Sequence, residues 1–165
     1  MRQKQKVVAM QNDRPNTIPW PPIIYFSAAA IGVVAQLLVP LPWVDGGFAI
    51  VLQILGATLA ITALSLDVAT FATFRKHKTT VMPNKAATNL ITTGPFVWSR
   101  NPIYVANTML VLGAGLYFGN WWLAGLAFVA ALVTQKLAIE REERHLSAKF
   151  GAAWESYAAR VRRWL

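Results

Sequence analysis

The chain has no cysteine, only two histidines and few charged residues. Without cysteine it has neither a disulfide framework nor a thiolate metal site, and His77 and His145 alone are too few for a histidine cluster. Charged residues make up 14% of the 165 residues, whereas a soluble domain has about a quarter. Hydrophobic residues make up 55%, including seven tryptophans. These shortages indicate an integral membrane protein and predict no metal site.

Four stretches with little or no charge are candidates for crossing a bilayer. They are residues 20–39, 48–74, 103–118 and 121–139. A hydrocarbon core of about 30 Å needs roughly 20 helical residues. The third stretch reaches only about 24 Å, so it is a short, tilted or partly re-entrant span. We therefore predict an all-α fold: a polytopic membrane helix bundle of about four transmembrane segments, forming a single domain over residues 1–165.

All sixteen lysines and arginines lie on one side of this topology. Residues 1–19 hold four, residues 75–102 hold five and residues 136–165 hold seven, while the connections 40–47 and 119–120 hold none. The positive-inside rule then places both termini, with a basic tail at 1–18 and a loop at 75–102, in the cytoplasm. The net charge of +9 is explained by topology and by anionic lipid. We expect membrane lipid as a partner, and no nucleic acid.

Two features describe the second half of the bundle. The connection Gly119-Asn120 is so short that spans three and four must form an antiparallel hairpin, and small residues such as Gly113 and Gly115 allow close helix approach. The segment 140–165 has apolar residues every three or four positions with charged residues between them. That pattern predicts an amphipathic helix at the cytoplasmic interface.

A cluster of polar and helix-breaking residues precedes the third span. It reads Gly-Pro-Phe-Val-Trp-Ser-Arg-Asn-Pro-Ile-Tyr from Gly94 to Tyr104. Asn101 followed by Pro102 is typical of an N-cap and the first residue of a helix. A helix N-terminus favours a carboxylate ligand, and Arg100 adds a bidentate donor. The alternative is an ordinary capped loop whose arginine reaches lipid phosphates.

A second polar cluster, Glu-Arg-Glu-Glu-Arg at residues 140–144, follows the fourth span. Glu140 and Arg144 are spaced for an ion pair on one helix face. Glu142 and Glu143 point about 100° apart, so one of them can face the bundle. Carboxylates at this end of an apolar helix oppose its dipole, and a cation or a pair of hydroxyl groups would compensate them. The alternative is a solvated, charged helix end.

Asp67 lies inside the second span. Ionisable residues at membrane depth are costly, and they mark functional sites or pair with a counter-ion. Asp67 is about 12 Å from the cytoplasmic end of its helix. We expect it either to pair with Arg100 or Lys136, or to take part in catalysis.

These clusters, with Leu146, Phe150-Gly151 and Tyr157, resemble the isoprenylcysteine carboxyl methyltransferase and phospholipid methyltransferase superfamily over roughly residues 74–163. The resemblance implies that S-adenosylmethionine binds between the two clusters. It implies Arg100, Glu142 and Glu143 as catalytic residues. The implied cofactor-binding residues are Gly94, Pro95, Phe96, Arg100, Asn101, Pro102, Tyr104, Glu142 and Glu143. Asn101 stands where isoprenylcysteine enzymes have histidine, which leaves the acceptor open.

The resemblance implies S-adenosylmethionine-dependent methyl transfer to a lipidic or membrane-partitioned acceptor in a bacterial inner membrane. The acceptor would be a carboxylate of an isoprenylcysteine-like molecule, with a phospholipid amine or a small-molecule thiol as alternatives. A carboxylate would be held by Arg100 or by an arginine within 160–163, whereas an amine needs a base, for which Glu142, Glu143 and Asp67 are candidates. A non-enzymatic four-span membrane protein is the alternative from another class.

Overall fold

The computed structural model describes residues 18–77 and 89–165, and within these ranges every regular element is helical. The predicted all-α fold is therefore confirmed. Residues 1–17 of the predicted basic tail and residues 78–88 of the predicted loop lie outside the described residues. The elements are α1 (Trp20–Leu38), α2 (Gly46–Lys76), a 3₁₀ turn (Gly94–Val97), α3 (Pro102–Phe118), α4 (Trp121–Thr134), a π-helical turn (Gln135–Ile139), α5 (Glu140–Phe150) and α6 (Ala152–Ala158).

Three of the described helical runs are long and apolar enough to cross a membrane. They are α1, α2 and the 30-residue run Trp121–Phe150, which joins α4, the π turn and α5. Helix α2 has 31 residues, or about 46 Å, so it extends past a hydrocarbon core or tilts within it. Helix α3 has 17 residues and reaches about 25 Å, which makes it the short element that its sequence predicts. The fold is a polytopic membrane helix bundle.

The α3–α4 hairpin forms the centre of the bundle. Helix α2 packs on α3, and α1 packs mainly on α4, so the first two helices flank the hairpin. The tight connection uses Gly119, whose φ of +69° suits glycine. Asn120 then begins α4: its Oδ1 accepts from the Leu123 amide at 2.9 Å, and its Nδ2 donates to the Gly32 carbonyl of α1 at 3.1 Å. One asparagine thus fixes the hairpin and attaches α1 to it.

Glycines let the central helices approach until their backbones touch. A Cβ atom added at Gly113 would lie 2.7 Å from the Gly56 oxygen of α2, and one at Gly115 would lie 2.6 Å from the Ala124 nitrogen of α4. The predicted close approach at both glycines is confirmed. Because lipid offers no hydrophobic driving force between helices, such backbone-level packing is a main source of association energy in the membrane.

The segment after the fourth span differs from the single amphipathic helix predicted over 140–165. Gly151, with φ of +51°, divides it into α5 and α6. Few non-glycine residues adopt a positive φ, so the break follows from this glycine. After Ala158 the chain leaves the helical conformation. Residues 160–165, called the tail below, then run back towards the residues that precede α3.

Substitution of Gly56 by alanine should loosen the α2–α3 contact. The added methyl group would lie 2.5 Å from the Gly113 oxygen and 2.6 Å from the Tyr117 nitrogen, so the helices must separate. Overpacking of this kind lowers the free energy of unfolding by about 1–3 kcal/mol. The check is the thermal unfolding midpoint in detergent. The matched control is Gly125→Ala, where the added methyl group meets nothing within 4 Å; equal midpoints for the two variants would contradict the packing argument.

Candidate active site

The two polar clusters, about 40 residues apart in the chain, meet at one end of the bundle. The Tyr104 hydroxyl donates to Glu142 Oε1 at 2.9 Å. The Arg100 guanidinium lies 3.3 Å from Glu143 Oε1. The antiparallel hairpin causes this meeting, because α3 begins where α4 ends. We call this the motif end of the bundle.

Tyr104 connects three helices at the motif end. It stands in the first turn of α3 and is buried, and its phenol reaches Glu142 on α5. Its backbone carbonyl accepts from the Thr108 hydroxyl at 2.8 Å, and the Tyr25 hydroxyl of α1 lies 3.2 Å from the same carbonyl. The Tyr25 and Thr108 hydroxyl oxygens are 2.6 Å apart. Tyr104 is thus held on its backbone side by α1 while its side chain contacts α5.

Glu143 lies between two guanidinium groups from different segments. Arg163 of the tail donates Nε to Oε1 at 3.1 Å and Nη2 to Oε2 at 2.6 Å. Arg100 contacts the same carboxylate from the loop before α3. Hydrogen bonding to Glu143 is the main reason that the pKa of Arg163 is raised above its usual value. With two cations against one anion, this triad carries a net charge of +1.

Arg100 is held on three sides. Its backbone amide donates to the Arg162 carbonyl at 3.0 Å, and its guanidinium carbon lies 5.6 Å from the centroid of the Trp154 ring. That distance is within the range of a cation–π contact. Its Nε atom is buried and has no hydrogen-bond partner among the described residues. A buried guanidinium donor without a partner is a group that a ligand oxygen can satisfy.

Asn101 begins α3 as predicted, but its side chain does not cap the helix. The side-chain amide donates instead to the Arg163 carbonyl at 2.9 Å. Ser99 supports the same junction: its hydroxyl accepts from the Asn101 amide at 3.0 Å and donates to the Arg163 carbonyl at 3.3 Å. Pro102 is fully buried at the first helical position. The Asn101 side chain therefore bonds to the tail and not to the first amides of α3.

The Gly94-Pro95-Phe96 element lies on the α2 side of the motif end. Gly94 has φ of +62°, and a Cβ atom there would lie 2.6 Å from the Thr73 hydroxyl. Phe96 stacks edge-on against Phe74 at 5.5 Å, and Pro95 is buried. These three residues anchor the loop to α2, whereas Arg100, Asn101, Tyr104 and the two glutamates form the hydrogen-bonded cluster.

Two expected ion pairs do not form among the described residues. Glu140 pairs with Lys136 at 2.8 Å rather than with Arg144. Lys136 and Arg144 each lie about one helical turn from Glu140, on opposite sides of it in the sequence. Asp67 pairs with neither Arg100 nor Lys136, since those cations contact Glu143 and Glu140. Within residues 18–77 and 89–165, the Asp67 Oδ1 atom is buried without a hydrogen-bond partner.

Several residues of the cluster were not singled out by sequence reasoning. The sequence offers Arg163 as one of the arginines within 160–163 that could hold an acceptor carboxylate, but its spacing from Glu143 does not predict their ion pair. Ser99 stands within the Gly94–Tyr104 motif without a predicted role, and Tyr25 lies in a span without a recognisable pattern. Trp154 belongs only to the amphipathic pattern. Tyr157 is part of the family resemblance, but the sequence does not predict that its hydroxyl donates to the Phe96 carbonyl at 2.7 Å.

An open pocket of about 280 Å³ lies beside the triad. Its lining combines both signs of charge. The lining residues are Glu140, Glu143, Arg144, Ser147 and Arg163. Ligand pockets usually measure about 300–1,000 Å³, so this pocket suits part of a cofactor-sized molecule.

Residues 51–153 match the sequence model of the phospholipid methyltransferase family. The chain belongs to this family. The match takes in more than half of the chain, from α2 to the start of α6, and confirms the predicted resemblance to the isoprenylcysteine carboxyl methyltransferase-like superfamily. The family supports a methyltransferase activity, and with the three long apolar helices it supports an integral membrane protein. Helix α1 and residues 154–165 lie outside the match.

Two curated proteins are similar to parts of the chain. An uncharacterized protein of Haemophilus influenzae is 37% identical over 65 residues, which are 38% of this chain and the whole of that protein. The nickel-cobalt-cadmium resistance protein NccN of Alcaligenes xylosoxydans is 31% identical over 77 residues, which are 47% of this chain and 36% of that protein. No solved structure matches the chain.

Tyr157 should make stability depend on alkaline pH. Burial raises the pKa of its phenol from 10.0 to about 12, with the Arg100 charge acting in the opposite direction. Because the folded pKa is the higher one, the stabilising contribution is complete below pH 10 and is lost as the pH rises towards 12. The thermal unfolding midpoint of the wild type should therefore fall more steeply between pH 10 and pH 12 than that of Tyr157→Phe. Tyr117→Phe, at an exposed tyrosine of the opposite end, should keep the wild-type slope; a wild-type slope in Tyr157→Phe would refute the assignment.

Proposed function

We propose that the protein transfers a methyl group from S-adenosylmethionine to an acceptor that partitions into the membrane. The observation that carries this proposal is the meeting of Tyr104, Glu142, Arg100 and Glu143 at one end of an apolar bundle, in a chain of the phospholipid methyltransferase family. The proposed topology has this motif end and both termini in the cytoplasm, because all sixteen Lys and Arg residues fall on that side.

The residues at the motif end suit the chemical groups of this cofactor. S-adenosylmethionine supplies a methyl group on a sulfonium, which is a good leaving group, and it also carries a carboxylate, an ammonium and a ribose diol. Glu142, beside the Tyr104 phenol, suits a cation or a diol. Arg100, whose buried Nε lacks a partner, suits a carboxylate. The proposed contact set is the predicted one: Gly94, Pro95, Phe96, Arg100, Asn101, Pro102, Tyr104, Glu142 and Glu143.

The work left to the protein is alignment of the acceptor and exclusion of water. The loop before α3 and the tail are joined by hydrogen bonds from Arg100, Ser99 and Asn101. They therefore form one unit at the motif end of the bundle. The apolar helices beneath it admit a lipid-soluble acceptor from the side, while a water-soluble cofactor reaches the motif end from the cytoplasm.

The charges of the cluster bear on the class of acceptor. A carboxylate of an isoprenylcysteine-like molecule needs a guanidinium, yet both Arg100 and Arg163 contact Glu143. Asp67, in contrast, is an acid within a membrane helix whose buried Oδ1 has no partner, and such residues usually face a cation. We therefore favour an amine acceptor, such as a phospholipid amine, over a carboxylate or a thiol. Asp67 or Glu142 would accept the proton that the amine releases.

Calorimetry with S-adenosylhomocysteine, the demethylated product, tests the cofactor site. Detergent-purified wild type should bind with micromolar affinity. Arg100→Ala and Glu143→Ala should each weaken binding at least tenfold, or about 1.4 kcal/mol or more, because each removes a member of the triad. Arg141→Ala, which removes an exposed charge of α5, should bind like wild type. A folded wild type that does not bind would favour the non-enzymatic membrane protein instead.

Substitution of Asp67 by asparagine separates the acceptor classes. The variant keeps the shape of the side chain and loses its charge, so an amine acceptor should be methylated at least tenfold more slowly while the affinity for S-adenosylhomocysteine stays unchanged. The measurement is mass spectrometry of methylated products after incubation with membrane lipid extracts, isoprenylcysteine analogues and thiols. Ser65→Ala, at an exposed hydroxyl two residues away, is the matched control. Full activity of Asp67→Asn on an amine would remove Asp67 from the site, and methylation of carboxylates alone would reverse the order of the candidates.

A further inference from the structure

The tail joins the two halves of the candidate site through one residue. The Arg163 side chain holds both oxygens of Glu143, and its backbone carbonyl accepts from the Asn101 amide and the Ser99 hydroxyl. The side chain of this arginine therefore contacts the cluster after α4, and its backbone contacts the loop before α3. The family match ends at residue 153, and the sequence offers Arg163 only as one of the arginines that could hold an acceptor carboxylate.

The neighbours of Arg163 fix its position from both sides. The Arg162 carbonyl accepts from the Arg100 amide at 3.0 Å. The Trp164 indole donates to Gln135 Oε1 in the π turn at 2.8 Å. Three consecutive tail residues thus bond to three different parts of the motif end. Such a junction leaves the Arg163 fork little freedom to move away from Glu143.

The two glutamates are held in different ways. Glu143 accepts two charge-assisted hydrogen bonds in a fork–fork geometry and contacts a second guanidinium, and to turn towards another cation it would have to give these up. Glu142 accepts from the neutral phenol of Tyr104.

We propose that Arg163 is a positioning residue of the cofactor site. It fixes Glu143 and Asn101, two residues of the proposed contact set, in place and compensates the charge of Glu143. Lysine cannot replace it fully, because an ammonium lacks the planar fork that binds both oxygens. This inference rests on the proposed function and gives a role to a residue outside the family match.

The test compares two adjacent arginines of the tail. Arg163→Ala removes the fork, whereas Arg162→Ala removes the same charge from an exposed side chain whose contact with the cluster is through its backbone. Calorimetry with S-adenosylhomocysteine should show at least a tenfold loss of affinity for Arg163→Ala and less than a twofold loss for Arg162→Ala. Arg163→Lys should recover part of the loss, to within about threefold of wild type.

A double-mutant cycle with Glu143→Gln distinguishes positioning from general support of the fold. If Arg163 acts through Glu143, Arg163→Ala should cost less than a further twofold in the Glu143→Gln background. A full tenfold loss in that background would overturn the route through Glu143, and equal affinities of Arg163→Ala and Arg162→Ala would overturn the proposal. If Arg163→Ala does not fold, the comparison of Arg163→Lys with Arg162→Lys decides in the same way. Absence of binding by the wild type would count against the proposed function itself, and the inference would fall with it.

Discussion

The antiparallel hairpin of α3 and α4 is the constraint on which the rest of the structure depends. Its two-residue connection leaves α3 beginning at the end of the bundle where α4 finishes, so residues about 40 positions apart become neighbours without a long loop. Asn120 secures this turn by capping α4 and by bonding to α1. The contacts of the Tyr104 phenol with Glu142 and of the Arg100 guanidinium with Glu143 follow from that geometry.

The polar residues of the site are confined to one end because the remainder of the bundle is apolar and crosses the bilayer. Helices α2 and α3 meet at Gly56 and Gly113 with backbone against backbone, which suits a medium in which packing replaces the hydrophobic effect. At the motif end the helices stop, and the loop and tail must satisfy their own backbone groups. They do so through each other, by bonds such as that from the Arg100 amide to the Arg162 carbonyl. A polar site is therefore built where the membrane helices end.

The sequence predicts the features that depend on composition and short-range pattern. Charge-poor stretches predict the spans, and Gly119-Asn120 predicts the hairpin. The two polar clusters predict that Arg100 and Glu143 belong to one site. Features that depend on tertiary partners were not predictable. Asn101 is an N-cap by position, yet its side-chain amide donates to the Arg163 carbonyl. No residue near Asn101 in the sequence predicts this contact. Likewise Glu140 had two partners at one turn's distance, and only the folded chain shows that it pairs with Lys136.

The π-helical turn at Gln135–Ile139 has a consequence for which residues meet at the site. A wider turn takes in one extra residue, so all that follows is rotated back by about 100° relative to an uninterrupted α-helix. In an uninterrupted helix from Trp121 onwards, Arg141 would occupy the angular position of Glu142, and Glu142 that of Glu143. A guanidinium would then face the Tyr104 phenol. The register shift in the π turn at Gln135–Ile139 thus decides which side chain lies beside Tyr104.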